Sequence, residues 1–311
     1  MASLKHMSDT NERPDVIVGL EVSSTRILAV GVGREDQIIE RFETDRAVRG
    51  EAAGQVAEFA NEAAKRFGVS RVGIAVPGLV SRETGNVAFS AAMPENVAVD
   101  FAAAIREADV EALVENDANA AGYAEFKIGA GRGSRNMFYA TIGEGVGGSM
   151  ILDGKIWHGA AGYAGEFGFI AINSDGMRLE DVASSANLVR RTRSRFNRDS
   201  TSSLSGLSED QIRLQDIVKA ADLGDDFAKL MLERTGMYIG TAIASVINLM
   251  NVERIVVGGE ITHARHLVID SIVNRARELS FTPSFESTRI LAGELDDAAG
   301  AVGAAFLANG L

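Results

Sequence analysis

Val114-Glu115-Asn116-Asp117-Ala118-Asn119-Ala120-Ala121 is the stretch on which the reading of this chain turns. The apolar run that leads into it from Val110 has the character of a strand. The small residues after the Asn-Asp pair open a helix. Asp117 therefore stands where a strand gives way to a helix, and a carboxylate fixed there can take a proton from an attacking hydroxyl. Read by itself, the pair serves equally well as a side-chain cap on the helix. What surrounds it in the rest of the chain decides between the two.

The 311 residues are enough for about two domains of roughly 100–200 residues each. Hydrophobic residues make up 46%, which allows large cores. Glycine is frequent and proline scarce, 33 against 4, favouring an α/β fold with tight strand-to-helix turns. A formal net charge of -12 argues against nucleic acid or an anionic membrane as partner. With no cysteine, disulfides and thiolate metal sites are excluded. No apolar run approaches the roughly 20 residues of a membrane span. Met1–Pro14 is polar, lacks a signal-peptide core and reads as a tail. A soluble, cytoplasmic protein is expected.

Val16–Val22 and Arg26–Val32 are predicted as a hairpin about Ser23-Ser24-Thr25, with Gln37–Thr44 extending the sheet. Gly50–Phe67 carries Val56, Phe59, Ala60, Ala63 and Phe67 at helical spacing. Val72–Gly78 is a buried strand, Asn86–Phe89 a short one, Val99–Ala108 a helix, and Val110–Glu115 the strand that delivers Asp117. Ala118–Ile128 continues as a helix, and Gly129–Ser134 is a link. Asn136–Ile142 and Ser149–Leu152 are strands about the glycine-rich Gly143–Gly148. Helices are predicted over Leu179–Asn197, Leu214–Ala221, Asp225–Leu232, Thr235–Asn251, His266–Glu278 and Ala298–Leu311, with strands at Arg254–Glu260 and Arg289–Leu291. Strand, small-residue turn, strand occurs at Glu21–Thr25 and again at Gly143–Gly148, which predicts two similar sheet domains.

Small-residue turns follow strands at Ser23-Ser24-Thr25, Gly143–Gly148 and Gly258-Gly259. Such turns expose backbone N–H groups that can cradle phosphate. One alone is usually only a turn; several around a candidate base suit a nucleotide. His158, His263 and His266 lack metal-ligand spacing and are expected at the surface. Arg190–Arg195 is a basic helix face, expected to be solvated or at a subunit contact.

With these segments in place, the chain resembles a sugar kinase of the ROK family, within the actin-like ATPase superfamily, from about residue 16 to 311. Asn116–Ala121 resembles the family's catalytic segment, and Thr141–Gly148 its second phosphate loop. Gly154-Lys155, Gly159 and Ala164-Gly165-Glu166-Phe167-Gly168 resemble its signature region. Ile255–Gly259 resembles the adenosine turn, and Ala299–Ala305 the closing helix. The resemblance implies an α/β fold of two actin-like (ribonuclease H-like) domains, with mixed sheets flanked by helices around a central cleft. The first would span residues 15–120 with 298–311 returned to it, the second 121–297. It implies ATP, with Mg²⁺ accompanying the nucleotide, a hexose or sugar-like substrate, and a homodimer. Asp117 would be the general base, and Asn116, Glu166 and Glu180 would bind other sugar hydroxyls. Glu21, Ser23, Ser24, Thr25, Thr141, Gly143, Glu144, Gly145, Gly258 and Gly259 would face the nucleotide. Phosphoryl transfer needs such parts because it relies on positioning and charge stabilisation.

The chain departs from the family pattern in both phosphate loops. Where the family's first loop reads Asp-Ile-Gly-Gly-Thr-Lys, this one reads Glu21-Val22-Ser23-Ser24-Thr25-Arg26. Glutamate keeps the charge but adds a methylene, and a displacement near 1 Å can cost on the order of 100-fold in rate. Serine for glycine costs about 1–2 kcal/mol wherever the turn requires positive φ. Glu144 stands where the family has threonine. A carboxylate about 4 Å from a phosphate costs on the order of 4 kcal/mol unless a cation bridges them. Phe169 ends the family's Glu-x-Gly-His pattern, removing a sugar contact that is also a zinc ligand, and no structural zinc is expected. The asparagine that contacts sugar in the family is replaced around Ser90-Ala91-Ala92-Met93. These departures keep a second function open, a catalytically impaired ligand-binding or regulatory protein. A DNA-binding repressor is disfavoured, since about 15 residues precede the first strand and a helix-turn-helix takes tens.

Overall fold

The computed structural model describes residues 14–46, 52–81, 84–90, 93–94, 97, 100–106, 110–196, 201–264 and 266–311. The expected tail, apart from Pro14, and the replacement at Ala91-Ala92 lie outside the described residues.

Five strands form a first mixed sheet: β1 (Val16–Val22), β2 (Arg26–Gly33), β3 (Ile38–Asp45), β4 (Arg71–Val76) and β7 (Glu111–Asn116). A small hairpin of β5 (Leu79–Val80) and β6 (Val87–Phe89) stands apart. The order is β3-β2-β1-β4-β7, antiparallel on the hairpin side and parallel from β1 through β4 to β7. The apolar run of β4 is buried, as a parallel strand covered on both faces must be. One face is covered by α1 (Ala52–Phe67), whose Val56, Phe59, Ala60 and Ala63 are buried at the predicted spacing, and α2 (Phe101–Arg106) packs beside it.

The second sheet repeats the plan with β8 (Met137–Ile142), β9 (Val146–Leu152), β10 (Lys155–Ile156), β11 (Arg254–Gly258) and β12 (Arg289–Ala292). Its order, β10-β9-β8-β11-β12, is that of the first sheet strand for strand, again with a hairpin followed by parallel additions. The repetition expected from the two turns is thus a repetition of topology.

Two helices lie between the sheets. α3 (Asp117–Lys127) packs on β8 and β9, and α10 (Ala299–Ala308) packs on β1, β4 and α3. Close approach requires glycine: a Cβ on Gly73 would sit 1.9 Å from the Ala304 carbonyl, and one on Gly303 would sit 1.7 Å from that of Ala120.

Several elements differ from expectation. Leu179–Asn197 is not one helix but α4 (Glu180–Ala183) and α5 (Ser185–Arg193), broken at Ser184. Ser184 is extended and its side chain caps α5 through the Asn187 N–H. The helices expected at 225–232 and 235–251 are one, α7 (Asp226–Met250), after the shorter α6 (Leu214–Asp222). Glu233 and Arg234, which look like a break, are exposed on its outer face. α8 (His266–Leu279) packs against Gly236 and Gly240 of α7. α9 (Thr282–Glu286), opened by Pro283, is too short for periodicity to signal. β9 starts inside the glycine-rich turn, so Gly147 and Gly148 pair with Thr141 and Ala140. No helix among the described residues is long and apolar enough to cross a membrane.

Candidate functional site

Asp117 begins α3 at the end of β7. Asn116 caps the helix, its Oδ1 accepting the Asn119 N–H at 2.9 Å. Its amide nitrogen donates to the Gly78 carbonyl at 2.9 Å and to Asp117 Oδ1 at 3.0 Å. The Ala118 N–H also donates to Oδ1, at 2.9 Å. The cap and the held carboxylate are thus one device. Asn116 spends both amide protons inside the protein, which ties Asp117 to the turn after β4.

Burial raises the Asp117 carboxyl to about 6; the bonds from Ala118 and Asn116 oppose this, and the nearby Glu166 charge adds to it. Glu21, at the end of β1, is raised further, to about 7, chiefly by burial and then by Asp117, with Arg26 opposing. It packs against Gly300 at the start of α10 and accepts an N–H from Ala301. Its Oε2 is buried with no partner.

The first turn is organised by Ser23. Its Oγ accepts from the N–H groups of Thr25 at 3.4 Å and Arg26 at 3.1 Å. Those donors, which a glycine would leave open to phosphate, are taken by the serine itself. Ser23 and Ser24 do not have positive φ, so the backbone strain expected of serine there does not arise. Thr25 is exposed. Ser24 Oγ reaches across to the second turn and donates to Glu144 Oε2 at 2.8 Å. Arg26 is held by Glu43 and Asp297, each at 2.8 Å.

The second and third turns meet. The Cβ position of Gly259 lies 2.6 Å from the Ile142 carbonyl, and Gly259 takes φ +83, a value that suits glycine. The Ser185 N–H donates to the Gly143 carbonyl at 2.7 Å, and Ser185 Oγ donates to Glu260 Oε2 at 2.7 Å. Gly143, Gly145, Gly258 and Gly259 therefore share one wall, with Thr141 on the strand entering it. Ser185 and Glu260 are additions to the expected set; the position of Glu260 directly after Gly258-Gly259 was the only signal for it.

Glu180 and Glu166 stand near each other, and the Glu180 charge joins burial in raising Glu166. Glu180 Oε2 also accepts the Val146 N–H at 2.9 Å, so this residue supports the second turn. Phe169 is 54% exposed, with the Arg178 guanidinium 4.8 Å from its ring centre.

His158 is not a surface residue. Its Nε2 lies 2.8 Å from Glu115 Oε2, and the two side chains are 15% and 12% exposed. Glu115 Oε1 accepts from the Asn116 N–H at 2.9 Å and from Asn119 Nδ2 at 3.0 Å. A residue beyond the second sheet's edge strand thus braces the turn that carries Asp117. Among the described residues no group of three or more His, Asp or Glu is placed to hold a metal ion.

Relatives share this architecture. A glucokinase of Halalkalibacterium halodurans is 27% identical over 93% of this chain and 94% of its own length. The structure of a ROK family glucokinase from Streptomyces griseus in complex with glucose and AMPPNP superposes with a TM-score of 0.84, at 28% identity, covering 95% of this chain and all of that one. A xylose repressor of Bacillus spizizenii is 26% identical over 76% of this chain and 60% of its own length. The ROK family model matches residues 17–310, and with that span, the duplicated sheet and the Asn116-Asp117 turn, the chain belongs to the ROK family.

Proposed function

We propose that the protein is an ATP-dependent sugar kinase, transferring the γ-phosphate to a hydroxyl of a hexose or similar sugar. The observation that carries this reading is the state of Asp117: fixed through Oδ1 by Asn116 and Ala118, with its carboxyl raised to about 6. A base with a pKa just below neutrality is largely ionised at pH 7 yet still basic enough to accept a proton in the transition state. Asp117 takes the proton of the attacking hydroxyl, while Glu166 and Glu180 accept bonds from other sugar hydroxyls. Gly143–Gly145, Gly258-Gly259 and the Ser23–Thr25 turn line the path of the nucleotide. The orphaned, buried Oε2 of Glu21 beside Asp117 fits a divalent cation, which favours one or two carboxylates plus phosphate oxygens. Mg²⁺ bound there would neutralise charge on the transferring phosphoryl group. Turnover of Mg-ATP across a panel of hexoses and amino sugars tests the reading; no sugar turned over above an Asp117→Asn control would end it.

A second reading is a ligand-binding regulatory protein, supported by Ser23 occupying its own turn's N–H groups and by Glu144 closing on Ser24. Calorimetry separates the two: sugar binding without measurable Mg-ATP binding favours the second, and tight Mg-ATP binding excludes it.

A further inference from the structure

Glu125 sits near the end of α3 opposite Asp117, and its side chain is fully buried. Its partners are backbone N–H groups. Oε2 accepts from Ala130 and Oε1 from Leu295, both at 2.8 Å, and Glu294 contributes a further N–H. Ala130 belongs to the segment linking α3 to β8; Glu294 and Leu295 belong to the one linking β12 to α10. These are the two segments by which the chain passes between the sheets. Glycines make room for the carboxylate at both. A Cβ on Gly129 would lie 2.0 Å from Oε2, and one on Gly293 would lie 2.7 Å from Oε1. Arg254 then fastens the first segment to β11 through the carbonyls of Ala130 and Arg132, both at 2.7 Å.

We propose that Glu125 is a positioning residue: the joint that fixes the two halves of the site with respect to each other. A buried carboxylate must be compensated by hydrogen bonds, and here every identified donor comes from a crossing segment. α3 carries Asp117 as its first residue and Glu125 as its ninth, about 12 Å apart along a stiff helix. Slack at the joint moves Asp117 against the turns of the second sheet, and a displacement near 1 Å costs on the order of 100-fold in rate. The kinetic consequence rests on the kinase reading; the joint itself does not.

The test uses the full chain with Glu125→Gln, Glu125→Asp and Gly293→Ala, read by backbone hydrogen exchange of the free protein and by steady-state kinetics. Glutamine keeps the volume but replaces one of the two acceptor oxygens with an NH₂ donor, so it can hold only one of the two segments. Exchange at Ala130 or Leu295, whichever meets the new NH₂, is expected to rise at least tenfold in Glu125→Gln. Its kcat should fall roughly 10–100-fold with KM for sugar and ATP within about threefold, and Glu125→Asp should lie between it and the wild type. Gly293→Ala should loosen residues 293–298 more than 128–136 and lower kcat likewise. Unchanged exchange at both amides, or raised exchange with unchanged kcat, overturns the proposal. Should Glu125→Gln fail to fold, Gly293→Ala decides by the same two readings. A wild type that turns over no sugar ends the kinase reading, and the exchange data alone then decide the joint.

Discussion

Ser24 and Glu144 are hydrogen-bonded across the cleft, hydroxyl to carboxylate at 2.8 Å, although one follows the first strand of the first sheet and the other the first strand of the second. The bond joins the two turns that the sequence marks as candidate phosphate loops. On the proposed kinase reading, they put a negative charge on the wall that faces the nucleotide. Glu144→Gln keeps the shape and removes the charge, and it is expected to tighten nucleotide binding at least tenfold, a modest part of the on the order of 4 kcal/mol that an unbridged charge pair costs. Calorimetric titration with ATP at several Mg²⁺ concentrations measures this. The gain should be largest at low Mg²⁺, and an unchanged affinity at every concentration would remove Glu144 from the phosphate wall.

Asp117 has both a kinetic and a stability signature. If it is the base, kcat should rise with pH through about 6 and level off above. Asp117→Asn should lower kcat by on the order of 100-fold or more. For stability the sign is opposite to that of an ordinary ion-paired carboxylate. The folded protein holds the proton more tightly than the unfolded chain, so ionisation costs folding free energy as pH rises from about 4 to about 6. Two pKa units correspond to about 3 kcal/mol. Asp117→Asn should therefore melt several degrees above the wild type at pH 8 and level with it at pH 4. Glu21→Gln should behave alike, with its window reaching about pH 7.

His158→Ala leaves Glu115 Oε2 without its partner in a nearly closed site. A loss of about 2 kcal/mol is expected, since an unsatisfied buried acceptor bears its full desolvation cost. His158→Gln retains a donor and should recover at least half of it. Urea unfolding of the three proteins settles the matter, and equal stability of His158→Ala and wild type would contradict it.

Gly303→Ala would place a methyl 1.7 Å from the Ala120 carbonyl, where neither backbone can give way. Destabilisation of about 3 kcal/mol or more is expected. Gly206→Ala, where nothing lies within 4 Å of the added carbon, is the control and should stay within about 0.5 kcal/mol. Thermal melts of the two variants measure the contrast.

What could be read from the chain was local. The apolar run before Asn116, the small residues after Asp117 and the glycine turns carry their meaning within a few positions, and the candidate site was proposed from them. Pairings between distant side chains carry no such mark. Ser24 with Glu144, His158 with Glu115, and Ser185 with Glu260 join residues on different elements, and no spacing rule connects them. The helix errors have the same origin. Glu233-Arg234 looks like an interruption along the chain but is merely the outer face of α7, while Ser184 ends a helix with one extended residue and starts the next with its own hydroxyl.

The placement of α10 bears on how the protein is made. β1 and β4 are among the earlier elements to leave the ribosome, yet Gly19 and Gly73 present bare backbone that only α10 fits. At roughly 5–20 residues per second, that helix emerges on the order of tens of seconds later. Until then the first sheet has one finished face and one open one. The second sheet is completed at almost the same time: β12 ends at Ala292, shortly before α10 begins at Ala299, and Ala299 packs in one cluster with Met137, Tyr139 and Val256. During synthesis the half made earlier is therefore expected to wait, with one face open, until the last elements of the other half and α10 arrive together.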